Sequence, residues 1–118
     1  MILADTSVWV RHLRADDEGL ARLLAEGRIA CHPFVIGELS CGALRRRAEI
    51  LGYLAALPAT LVASHEEALH FAAERKLHGK GLGWIDVHLL ASAVLSGCRL
   101  WTLDRTLASA AKAARVEA

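Results

Sequence analysis

The sequence is poor in several things, and each scarcity closes off a class of protein. Cysteine occurs three times, at Cys31, Cys41 and Cys98, an odd number at wide spacing. That excludes a disulfide framework and the close cysteine pairs of a structural zinc site. Each cysteine is therefore expected to be a small buried residue. Aromatic residues make up 5% of the chain against an apolar fraction of 54%, so the core has to be built from Leu, Ala, Val and Ile. Net charge is nearly absent, at +1. No global field draws such a chain to nucleic acid or to a membrane, so any grip on a polyanion must come from a local patch. No apolar run approaches the roughly 20 residues of a membrane span, and no basic-then-apolar leader precedes the first apolar segment. These absences predict a cytoplasmic protein in a reducing setting, without membrane contact. Repeats, low-complexity tracts and linkers are missing as well. The 118 residues read as a single domain, 1–118, long enough to bury a real core.

What the chain does have is short apolar runs alternating with helical patterns. "MILADTS" opens with a run that breaks on Asp5, and "RLWTLDRTL" repeats the device at Asp104. Residues 2–5 predict a buried strand, with Thr6 or Ser7 as the cap of a helix after it. Leu20, Leu23 and Leu24 form a helical stripe that belongs to the core, stopped by Gly27. "RIACH" predicts a second strand. Pro33 opens a helix to about residue 44, and another runs from about 46 to 57 before Pro58. "ATLVA" predicts a third strand, and Ser64 with Glu67 a capping box for a helix to about residue 78. "HGKGLG" is a loop without phosphate-loop spacing, because no Ser or Thr follows Lys80. "WIDVHLLASAVLSG" is a helix ending at Gly97, "RLWTLD" a fourth strand and "RTLASAAKAA" a last helix. "RVEA" reads as a clipped edge strand. Alternation of this kind indicates an α/β fold: a parallel sheet of four or five short strands, covered by helices on both faces. Ligands of such sheets sit at the carboxyl ends of the strands, where Asp5 and Asp104 fall.

Two further acids join them. Glu38 has Phe34, Val35, Cys41 and Gly42 as helical neighbours, all uncharged, which predicts an inward face. Asp86 lies in the first turn of its helix beside Leu89 and Leu90. Two unit charges about 4 Å apart repel by roughly 4 kcal/mol at an effective dielectric near 20. No Lys or Arg shares these inward stripes, so the acids must share protons or hold a cation. Oxygen ligands without His or Cys suit a hard ion, Mg²⁺ or Mn²⁺, able to activate water for phosphodiester cleavage. The six histidines have no metal-ligand spacing and are assigned none of this chemistry.

Four segments, "LADTSVWVRHLR", "PFVIGELSCG", "GLGWIDVHLLASAVLSG" and "LWTLDRTL", together resemble PIN domains, specifically the VapC-type toxin ribonucleases of bacterial toxin–antitoxin pairs. The resemblance implies a three-layer α/β/α sandwich and Mg²⁺-dependent endonucleolytic cleavage of RNA. By position it implies an acidic site of Asp5, Glu38, Asp86 and Asp104. Asp5 and Asp86 are then the principal metal ligands, with Glu38 and Asp104 completing the site directly or through water. Ser7 matches the family's hydroxyl after the first aspartate, a candidate for orienting a ligand. The resemblance also implies a homodimer and a cognate antitoxin, the two forming a larger complex. The chain departs from the family in its short C-terminal segment, which puts sheet size in question.

Blander roles compete at each position. The acids could be ordinary helix caps, and Ser7 another. Arg45, Arg46 and Arg47 are a solvated face or, with Arg11 and Arg14, a rim that contacts RNA phosphates. Trp9, Trp84 and Trp101 are core or interface anchors, although Trp84 is near enough to Asp86 to stack a base. Two other functions fit the acids: an aspartate-based phosphohydrolase or phosphotransferase with Asp5 as nucleophile, and a catalytically idle PIN-like module that binds RNA or antitoxin.

Overall fold

Leu3 and Ala4 have no exposed surface, which makes the first apolar run the centre of the sheet. The computed structural model describes all 118 residues. Strand β1 (Ile2–Ala4) lies between β2 (Ile29–Ala30) and β3 (Arg99–Trp101) in the order β2-β1-β3, parallel throughout. Ile2 pairs with Ile29 and with Arg99, and Ala4 pairs with Trp101. Helices α1 (Thr6–Ala15), α2 (Glu18–Ala25), α3 (Pro33–Ser40), α4 (Arg47–Ala56), α5 (His65–Glu74), α6 (Trp84–Ser96) and α7 (Arg105–Ala113) pack around it. This is the α/β sandwich that the alternating pattern predicts.

The sheet has three strands rather than four or five. "ATLVA" pairs only through one parallel bridge, Ala59 to Cys31. Beyond it the backbone donors are taken by side chains of α6: Leu61 N–H donates to Ser96 Oγ at 2.8 Å and Ala63 N–H to Ser92 Oγ at 3.1 Å. Those hydroxyls replace a ladder partner, so the strand stops after one pair. "RVEA" likewise contributes a single parallel bridge, Glu117 to Leu100.

Helix ends follow the sequence closely in some places and not in others. The Ser64–Glu67 capping box forms, at 3.0 and 2.8 Å. Gly97 adopts φ 66°, a left-handed conformation that closes α6 while its N–H reaches the last carbonyls. The cap of α1, in contrast, is neither Thr6 nor Ser7 but Asp5, whose Oδ1 accepts from Val8 N–H. Helix α3 ends at Ser40, four residues short of the expected end, and Arg46 with φ 51° starts α4. Leu20 is fully buried, with Leu23 and Leu24 packed against the core. Cys31 and Cys98 are buried as expected, but Cys41, at the end of α3, is exposed. No helix is long and apolar enough to cross a membrane.

Candidate active site

The parallel pairing of β1 with β3 delivers two chain segments to one place. Asp5 N–H donates to Trp101 O at 2.9 Å, so both strands end at the same level and their first loop residues meet. Side chains then lock the two loops together. Ser7 Oγ donates to Asp5 Oδ1 at 2.5 Å and accepts from Leu103 N–H at 3.0 Å. The Thr102 hydroxyl donates to Asp5 Oδ2 and accepts from Asp104 N–H, the latter at 3.0 Å. Asp5 is buried and accepts from two hydroxyls and one amide, which leaves neither oxygen unsatisfied.

Asp86 and Asp104 each spend one oxygen on a helix start. Asp86 Oδ2 accepts from Gly83 N–H at 3.1 Å, and Asp104 Oδ1 accepts from Leu107 N–H at 2.9 Å. The bland role of helix cap is therefore real for Asp5, Asp86 and Asp104. It does not use up Asp86 or Asp104, whose second oxygens accept nothing from the protein. Burial pushes the Asp86 carboxyl above its ordinary range, and the charges of Asp104 and Asp5 push it the same way against the opposing Gly83 hydrogen bond. Acids from two distant segments thus act on Asp86. None is paired with Lys or Arg; the molecule's ion pairs are Arg11–Asp17, Arg28–Glu26 and His70–Glu74.

Glu38 departs from its expected place. It is exposed on α3 rather than turned inward, and it joins the site through Thr6, whose hydroxyl donates to Oε1 at 2.6 Å. Thr6 is expected from the sequence only as a helix cap, and Thr102 is not singled out there at all. Thr102 had a signal: a threonine two residues before an aspartate at a strand end can turn the chain by accepting that residue's N–H. Ser7, a candidate from the sequence, fixes Asp5 rather than capping the helix.

As the side chains stand, no three His, Cys, Asp or Glu residues are gathered closely enough to hold a metal ion. The donor set nevertheless suits a hard divalent cation in kind and in charge. It consists of carboxylate and hydroxyl oxygens, carries uncompensated negative charge, and keeps free oxygens on Asp86 and Asp104. An ion bound here would draw its ligands from Asp5, Asp86 and Asp104, with Glu38 tied to the site through Thr6.

The arginines divide. Arg11 is tied to Asp17 at 2.5 Å. There the Leu20 N–H, helped by Arg11, holds the Asp17 carboxyl below its usual range. Arg14, Arg45 and Arg46 instead line a groove of about 770 Å³ that also contains Glu38 and Thr6, with Val10, Leu13 and Ile50 among its apolar walls. Trp84, 40% exposed, meets His65 and His88 edge-on at 5.3 and 4.7 Å.

A family model for the PIN domain matches residues 2–113. Ribonuclease VapC32 of Mycobacterium tuberculosis, from strain CDC 1551 / Oshkosh and from strain ATCC 25618 / H37Rv, is 47% identical over 111 residues, 93% of this chain and 90% of that protein. Among solved structures, the crystal structure of PAE2754 from Pyrobaculum aerophilum superposes with a TM-score of 0.65 at 19% identity, over 92% of this chain and 82% of that one.

Proposed function

We propose a function from one premise: this chain belongs to the PIN-domain family, in its VapC branch. It is a Mg²⁺-dependent endoribonuclease, able to use Mn²⁺, and the toxin of a type II toxin–antitoxin pair. The naming of the 47%-identical relatives as ribonucleases supports the substrate class. The observation that carries the reading is that Asp5, just after β1, and Asp104, in the loop after β3, act on Asp86 in the first turn of α6, with no Lys or Arg paired to any of them. A divalent ion bound there supplies water activation and stabilisation of the displaced oxygen in phosphodiester cleavage.

The residues divide the rest of the work. Asp5 is fixed by Ser7, Val8 and Thr102, so it offers the ion a preset ligand and loses little freedom on binding. Asp86 gains most from a counter-charge, because burial and its neighbours oppose its ionisation. Asp104 brings its free oxygen from the start of α7. Glu38 is exposed and keeps Oε2 free, so it can accept the proton of the attacking water. Arg14 and Arg45 hold phosphates of the strand that passes Glu38; Arg11, engaged by Asp17, contributes less. The apolar walls of the same groove receive a segment of the antitoxin, and two copies of the chain form the working dimer.

The test is direct. Purified protein incubated with total RNA generates new ends in Mg²⁺ and none in EDTA, while Asp5→Asn and Asp86→Asn fall to background and still fold by circular dichroism. Cleavage by either variant at the parental rate removes that residue from the site. RNA or antitoxin binding with no cleavage in saturating Mg²⁺ or Mn²⁺ makes the chain a binding module instead.

A further inference from the structure

A second groove, of about 580 Å³, opens between the end of α5, the 76–83 connection, α6 and α7. Its lining carries Arg75, Lys80 and Arg105, with the hydroxyls of Thr106 and Ser109, and no acidic residue. None of the three cations has a carboxylate partner. Arg75 lies over the Phe71 ring, 5.0 Å from its centroid, which orients the guanidinium without using its N–H donors. Like charges gathered around one cavity focus a positive potential that an anion relieves. Leu82 and Leu90 add apolar wall, which suits a nucleoside face better than a bare inorganic anion. The volume lies within the roughly 300–1,000 Å³ of ordinary ligand pockets.

Two chain segments link the groove to the acids. Arg105 directly follows Asp104, and the connection that bears Lys80 runs on to Gly83, whose N–H is bound by Asp86.

We propose that the groove holds the backbone of single-stranded RNA beside the bond to be cut, with Arg75, Lys80 and Arg105 facing its phosphates. The proposal rests on the ribonuclease reading and deepens it: the substrate is gripped in two grooves, by Arg14 and Arg45 in one and by these cations in the other. Its three cations and lack of acids favour a polyphosphate strand over a protein segment as the occupant.

The test uses the Asp86→Asn protein, which should bind without cutting, and a short fluorescein-labelled RNA of mixed sequence read by anisotropy across a salt series. Adding Lys80→Ala with Arg105→Ala should weaken binding about tenfold. It should also flatten the salt dependence by roughly 1.4 in log–log slope, about 0.7 for each phosphate of a single strand that is no longer neutralised. Arg22→Ala, on the exposed side of α2, should change neither. Lys80→Glu alone, at an exposed loop position, should weaken binding in the same direction, so the outcome does not depend on the start of α7. With the acids intact, the double variant should raise KM and leave single-turnover kcat nearly unchanged. Unaltered affinity and slope in a protein whose parent cleaves RNA overturn the groove and leave the ribonuclease reading standing. A parent that neither binds nor cleaves RNA overturns both. A labelled polyglutamate peptide that binds more tightly than the RNA, and loses that binding in the double variant, overturns the occupant.

Discussion

Asp5 owes its position to hydroxyls on either side of it in space. Ser7 comes from its own helix and Thr102 from a strand end 97 residues away in sequence. Thr102→Val keeps the shape and removes the donor to Asp5 together with the acceptor for Asp104 N–H. Loss of such supporting hydrogen bonds typically costs about 10–100-fold in metal affinity or activity. Cleavage by Thr102→Val should therefore fall by that order, and raised Mg²⁺ should restore part of it. A Mg²⁺ titration of initial rates checks this, and unchanged rates at every concentration would clear Thr102 of the role. Asp5 and Asp104 stood out in the sequence because an acid at the end of an apolar run is costly unless it has work to do, and Asp86 because its helical neighbours are apolar. Thr102 was legible only as a turn residue before Asp104, because nothing local announces its second bond to Asp5, 97 residues away. Glu38 was legible as a candidate but misjudged in orientation: uncharged helical neighbours do not bury a residue when Cys41 and Gly42 beside it are exposed.

At the level of elements, the order of strands and helices could be read from alternation and caps, while strand length could not. Whether "ATLVA" continues a ladder depends on Ser92 and Ser96, about 30 residues further along the chain, and no local pattern announces their reach. Helix α3 gives a sharper case. Its cap is His32, fully buried, whose Nδ1 accepts from Phe34 N–H at 2.9 Å while Nε2 faces Ser92 Oγ at 3.1 Å. Burial, with His88 nearby, lowers the His32 pKa to about 4. The folded state thus prefers the neutral ring, and its contribution is complete above the unfolded value near 6.5. It is lost as pH falls from there through about 4, because the unfolded chain takes up the proton first. Thermal melts should hold steady above pH 6.5 and decline below it. His32→Gln should melt lower at neutral pH, yet decline less on acidification. Parallel declines for the two proteins would mean that other groups carry the acid sensitivity.

Across the whole molecule, the acid cluster makes folding and ion binding two sides of one balance. The Asp86 carboxyl is raised in the folded state, so folding favours its protonated form and the ionised form costs stability above that raised pKa. Asp86→Asn should accordingly raise Tm at neutral pH in EDTA, and the gain should vanish in acid, where the parent is protonated too. Mg²⁺ should raise the parent's Tm with concentration, as for any ligand of the native state alone, and should do so far less for the variant. Scanning fluorimetry over pH and Mg²⁺ checks both, and a Tm indifferent to Mg²⁺ in the parent would count against an ion at these acids.

The strip formed by residues 116–118 occupies Leu100: Val116 O accepts from its N–H at 2.6 Å, and Ala118 N–H donates to its carbonyl at 3.0 Å. Lifted off by a protease or a badly placed fusion, it would leave that rim of the molecule adhesive. An extended segment from a neighbour could then seat itself there, and the product would cloud on storage.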